Sequence, residues 1–111
     1  MRTISVAKDF TRFPSGRYKR NGDTSGEAFR ERFMEPYIRD GVEIAIELDG
    51  TIGYGSSFLE EAFGGLVRAL KLSAADLKTR LHIVTNDTAL FEDVNSYIED
   101  ASKCLGPEHG D

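Results

Sequence analysis

Ser56 and Ser57 follow the glycine-rich stretch Gly53-Tyr54-Gly55 and stand just ahead of a helical pattern, where a hydroxyl can cap the helix or carry phosphate. Unpaired N–H groups and the helix dipole favour negative charge at such a start. The stretch lacks the lysine and the spacing of a phosphate-binding loop. Nor is it a nucleophile elbow, because Phe58 stands where the second glycine would fall in the Ser56 frame. Ser57-Phe58-Leu59-Glu60 has capping-box spacing, which predicts Ser57 as the cap and leaves Ser56 more exposed and better placed to accept phosphate. Cations that could meet an anion there are Arg17, Lys19, Arg20 and Arg30.

A second stretch, Glu47-Leu48-Asp49-Gly50-Thr51, resembles the D-x-D-G-T signature of haloacid-dehalogenase-type phosphatases. Glu47 replaces the nucleophilic aspartate, and the strand alternation turns it, with Glu43, away from Ile44 and Ile46. The plainer reading is a strand that ends in an Asp-Gly turn. His82 lies inside a strand pattern and His109 near the end, with no partner at metal-ligand spacing, so neither a metal nor a cofactor is expected. Cys104, the single cysteine, is expected as a small core or boundary residue on the last helix.

These residues need a frame. Ile4 and Val6 alternate with small or polar residues over 3–7, and Val42, Ile44, Ile46 and Leu48 alternate with Glu43, Ala45 and Glu47. The second run predicts a strand with one buried and one wet face, and hence a sheet covered by helices mainly on one side. Leu81 to Thr85 predicts a further strand, and Arg17-Tyr18-Lys19-Arg20 a short basic edge strand ahead of the Asn21-Gly22-Asp23 turn. Phe10, Phe13, Pro14 and Gly16 mark an aromatic-pinned loop. Thr24 to Glu27 reads as a capping box that opens a helix over 25–39 with Phe29, Phe33 and Tyr37 on its apolar stripe, and Pro36 is positioned to kink or split it. The helix after Ser57 carries Leu59, Ala62, Phe63, Leu66 and Leu70. Its central Gly64-Gly65 costs about 1 kcal/mol per glycine against alanine, which predicts a neighbour packed against the backbone. Leu90, Phe91, Val94, Tyr97, Ile98, Ala101 and Leu105 stripe a last helix, and the tail 106–111 is expected to fray.

The whole chain has 111 residues, 40% of them hydrophobic and 30% charged, which suits one α/β domain over 1–105. No apolar run approaches the roughly 18 residues of a spanning helix, and the start has no leader-like apolar stretch, so no membrane contact and a cytoplasmic location are expected. Charge is uneven: residues 2–20 hold six bases against Asp9 alone, while the rest carries 8 bases and 18 acids. Such polarity can orient a charged partner, although a nucleic-acid backbone would be repelled by the acidic body.

The run Ile46 to Leu66, with Phe13-Pro14-Ser15-Gly16-Arg17-Tyr18 and Ser25-Gly26-Glu27-Ala28-Phe29-Arg30 upstream, resembles the bacterial STAS-like domain family of unknown function. The wider group it is similar to, STAS domains, includes anti-sigma-factor antagonists that an ATP-binding, histidine-kinase-type anti-sigma factor phosphorylates on a serine at the start of a helix. The resemblance puts Ser56 at that serine and Ser57 after it, with Gly55 where an acid precedes and Phe58 where a glycine commonly follows. It implies a mixed sheet of about four strands with about three helices, packed mainly on one face. The expected function is a non-catalytic regulatory interaction domain that switches partners with such an ATPase, contacting it through Tyr54, Gly55, Phe58 and the basic residues Arg17, Lys19, Arg20 and Arg30; a homodimer is a further possibility. The competing reading is a small nucleotide- or anion-binding module or enzyme that uses Arg17, Arg30 and the helix start at Ser56. Bases converging on Ser56 would favour that second reading.

Overall fold

Strand β2 (Ile44–Glu47) is the middle strand of the sheet, between β1 (Arg2–Ser5) and β3 (Leu81–Val84), and both neighbours run parallel to it. The computed structural model describes residues 1–105, so the frayed tail expected over 106–111 lies outside the described residues. Parallel neighbours cannot be joined by tight hairpins and need crossovers, which here are helical. After β1, a π-helical turn (Val6–Phe10), a loop, α1 (Gly26–Phe33) and α2 (Glu35–Arg39) lead to β2. From β2 the chain passes through α3 (Ser56–Leu59), a π-helical segment (Glu60–Gly64), α4 (Gly65–Leu70) and α5 (Ala74–Lys78) to β3, and α6 (Thr88–Lys103) follows.

The register sets Ile4, Ile46 and Ile83 in one row across the sheet, and Thr3, Ala45 and His82 in the next. Ile4, Ile44 and Ile46 enter one core with Phe29 of α1, Phe58, Phe63 and Leu66 of the helical run 56–70, and Val94 and Ile98 of α6. On the other face Thr3 and Val84 are exposed and Glu47 is half-buried, while His82 lies against the Glu43 carboxylate.

Several expectations are corrected by this arrangement. Among the described residues the sheet has three parallel strands, not a mixed set of four, and there are more helical segments than three. Residues 17–20 form no edge strand. The Tyr18 N–H donates to the Asn21 side chain and the Lys19 N–H to the Glu27 carboxylate, so side chains take the donors a strand would have offered, and a single 3₁₀ turn (Lys19–Asn21) forms. Ser25, not Thr24, caps α1: its buried hydroxyl accepts the Ala28 N–H at 3.1 Å. The run expected over 25–39 divides at Met34, and Pro36 sits in the first turn of α2, where its missing N–H is harmless. Phe10 packs on Phe29 and Phe33, with ring centroids 5.3 and 5.7 Å away, but Phe13 projects outward. Cys104 is exposed, neither in the core nor at its boundary, because it falls beyond the last buried turn of α6.

Candidate functional site

The loop that presents the two serines is anchored at several points. Beyond β2, the Asp49 carboxylate accepts the Thr85 hydroxyl at 2.5 Å and the Asn86 N–H at 2.9 Å, which ties it to the turn after β3. Those two bonds hold the Asp49 carboxyl below the usual carboxylate range, the Thr85 bond foremost. The Tyr54 hydroxyl donates to the Leu48 carbonyl at 2.7 Å and closes the loop on itself. Burial pushes that phenol up to about 12. Gly50 adopts φ +102° with Ala7 close by, a conformation that L side chains rarely adopt. From the other side, the Ile52 N–H donates to the Arg12 carbonyl at 2.9 Å.

Beyond these anchors Gly55, Ser56 and Ser57 are exposed, and among the described residues nothing lies near Gly53 or Gly55 where a side chain would begin. Gly55 is the residue that caps α3, and among the described residues no side chain accepts from the first helical N–H groups. The expected capping box of Ser57 and Glu60 therefore does not form. Glu60 is engaged elsewhere: its carboxylate meets the Arg68 guanidinium at 2.6 Å and the Arg17 guanidinium at 2.5 Å, and these arginines, Arg68 first, hold its carboxyl low.

The basic candidates do not gather at Ser56. Arg17 turns to Glu60 and, at 3.4 Å, to Glu61. Arg30 is buried between α1 and the π-helical segment, donating from Nε to Glu35 at 2.7 Å and from Nη1 to Glu61 at 2.5 Å, as well as to the Glu61 carbonyl at 3.0 Å. Burial works against its charge, but Glu35 and Glu61 outweigh it and the pKa of Arg30 is raised. Lys19 reaches Glu31 at 2.6 Å, and Arg20 lies 5.0 Å over the Tyr18 ring. Phe58, expected as a partner contact, is fully buried against Phe29 and Tyr54, so it supports the loop from inside. Tyr54 is likewise half-buried, leaving its chain neighbours as the exposed part of the loop.

Sequence reasoning did not find the acidic half of this network, Glu35, Glu60 and Glu61. The one available signal was Gly64-Gly65. The neighbours expected there are the Glu60 carboxylate beside Gly64 and the Arg30 guanidinium against Gly65. Sequence reasoning also passed over a cavity of about 360 Å³ between the 49–54 loop and the start of α6, lined by Asp49, Tyr54, Asp87 and Asp93. Among the described residues no group of three or more His, Cys, Asp or Glu is arranged to hold a metal, and no helix is long and apolar enough to cross a membrane.

Compared with known families, residues 25–89 match the profile of the STAS-like domain of unknown function (DUF4325). That segment holds α1, the serine loop, β3 and the ion network apart from Arg17. No curated protein and no solved structure matches the chain.

Proposed function

Because the chain belongs to the STAS-like domain family of unknown function, we propose that it is a non-catalytic regulatory domain that acts by protein contact, with the exposed part of the 52–57 loop as its contact surface and Ser56 as a phosphorylation site. The partner is a histidine-kinase-type ATPase, in keeping with the wider STAS group. The observation that carries this reading is that Ser56 and Ser57 stand exposed and cap nothing among the described residues, at the start of α3, after a loop whose base is fixed by Asp49, Tyr54 and Ile52. A hydroxyl free of structural work, held on a pinned loop, suits reversible modification. The rival anion-binding reading needs Arg17 and Arg30 at the helix start, and both are held by glutamates.

Phosphate on Ser56 would add roughly −1.5 to −2 of charge, which a helix start tolerates and a partner's acidic or dry surface does not. Ser56→Asp tests this. The variant should keep the wild-type melting temperature and lose the ATPase that the wild type retains in affinity capture from the native host, read by mass spectrometry. If Ser56→Asp holds its partner as tightly as the wild type, and no phosphate is found on Ser56 after expression beside that partner, the reading is wrong.

A further inference from the structure

The two edges of the sheet differ. Along β1 the Arg2 N–H donates to the Glu43 carbonyl, so the backbone of Thr3 and Ser5 faces outward, and there the Asp9 carboxylate takes the Ser5 N–H at 2.8 Å. Along β3 the Ile44 N–H donates to the Arg80 carbonyl and the Leu48 N–H to the Val84 carbonyl, which turns the N–H and C=O groups of Leu81 and Ile83 away from β2. Among the described residues those outward groups have no hydrogen-bond partner. Edge strands are commonly guarded by lysine, proline or a bulge, but Leu81-His82-Ile83-Val84 contains neither residue and pairs with β2 one for one. Beside it lies a cavity of about 360 Å³, walled by α5 and α6 and lined by Leu77, Leu81, Ile83, Phe91 and Ile98. Val84 on the open face and Phe91 on α6 are both exposed.

We propose that β3 is a dimer edge, at which a second copy of this chain lays its own β3 antiparallel, about a twofold axis through His82. A strand added here must bring outward N–H and C=O groups two residues apart, with apolar side chains on the core face at the same positions. β3 itself carries both, at Leu81 and Ile83. In that register Leu81 stands opposite the partner's Ile83, each such pair exchanges both N–H···O bonds, and the apolar row of Ile4, Ile46 and Ile83 continues into the second copy. On the open face His82 meets the partner's His82, each beside its own Glu43. A twofold axis perpendicular to the sheet keeps both α6 helices on one face, which brings Phe91 of each copy to the seam where the cavities lie. Net charge of −5 opposes self-association in general, but the two ends of β3 are of opposite sign. Lys78, whose side chain is 68% exposed and only 3.9 Å from Glu99 at its nearest, precedes the strand, and exposed Asp87 follows it. Antiparallel pairing sets Lys78 opposite the partner's Asn86 and next to the partner's Asp87, whereas a parallel neighbour in register would bring like charges together.

Sedimentation velocity on the full chain across the micromolar to millimolar range, joined with amide-resolved hydrogen exchange by NMR, tests this. The wild type should form a reversible dimer, and the Leu81 and Ile83 amides should gain protection as the concentration rises. Ile83→Pro deletes an N–H that β2 does not use, so the monomer keeps its sheet bonds while the dimer weakens about tenfold or more. Lys78→Glu, on an exposed side chain, should also weaken the dimer and serves if Ile83→Pro does not fold. Lys8→Glu, which adds the same charge on the β1 side of the sheet, should leave the dimer intact. A monomer throughout the range, a dimer whose Leu81 and Ile83 amides stay unprotected, a dimer unchanged by a folded Ile83→Pro, or equal effects of Lys78→Glu and Lys8→Glu would overturn the proposal. The Ser56 reading concerns a different segment, so a monomer would leave it standing, and failure of the Ser56→Asp capture experiment would leave the dimer standing.

Discussion

Removing the Arg30 guanidinium would take the best-buried partner from two carboxylates, Glu35 and Glu61, whose side chains are about nine-tenths buried, and leave them the more exposed Arg39 for the first and Arg17 and Arg68 for the second. A buried pair adds little compared with a well-packed apolar substitute, but breaking one leaves uncompensated charge, at about 3–5 kcal/mol. Arg30→Met should therefore lower the unfolding free energy by up to about that amount in urea titrations, since methionine fills the space and serves neither acid, while Arg39, Arg17 and Arg68 compensate part of the loss. A loss below about 1 kcal/mol would mean that Arg39, Arg17 and Arg68, or water, serve Glu35 and Glu61 in its place. Lysine is no substitute, because a single ammonium cannot span the three acceptors that the planar guanidinium serves.

At the scale of elements, close approach between helices rests on glycine. A Cβ on Gly26 would overlap the Phe58 carbonyl oxygen, so α1 touches the 56–70 helical run backbone to backbone. A Cβ on Gly65 would overlap the Arg30 guanidinium, which the buried Glu35 and Glu61 hold in place, whereas one on Gly64 would meet the Glu60 carboxylate at 2.5 Å, whose arginine partners, Arg17 and Arg68, are more exposed and can move with it. Alanine brings about 1 kcal/mol of helix propensity at any of these sites. Gly26→Ala and Gly65→Ala should nonetheless lower the melting temperature, and Gly64→Ala should leave it level or raise it. Equal effects at 64 and 65, measured by thermal melts, would show that Arg30 shifts freely.

For the whole molecule, two carboxylates with lowered pKa join parts that are distant in sequence: Asp49 links the end of β2 to the turn after β3, and Glu60 links the Arg17 loop to Arg68. A carboxyl that titrates lower in the folded than in the unfolded chain contributes its full stability above the ordinary carboxylate pKa of about 4, and loses it as the pH falls through the folded value. Thermal melts should hold steady from neutral pH down to that range and drop below it. In the double variant Asp49→Asn with Glu60→Gln, stability should be lower at neutral pH and the acid drop shallower. An acid limb of unchanged steepness would assign acid sensitivity to other groups.

The pattern of apolar residues determined β2, β3 and the last helix, because a period of two or of 3.6 is a local property that survives any arrangement of neighbours. Pro36 announced the break between α1 and α2, and Gly64-Gly65 announced a close neighbour, each through backbone chemistry that holds within a few residues. The family was legible in the run from Ile46 to Leu66, most of whose site is one continuous loop and helix. Strand direction, the absence of a strand at 17–20 and the identity of the cap at Ser25 were decided by partners remote in sequence or by competition among adjacent donors. Which glutamate takes which arginine was decided the same way, because a charge on an exposed-looking helix face carries no mark of the loop that will fold over it. Phe58 went inside and Phe13 outside for one reason: burial depends on what lies opposite, and only the packed chain places Phe29 against the first and leaves the second more than half exposed.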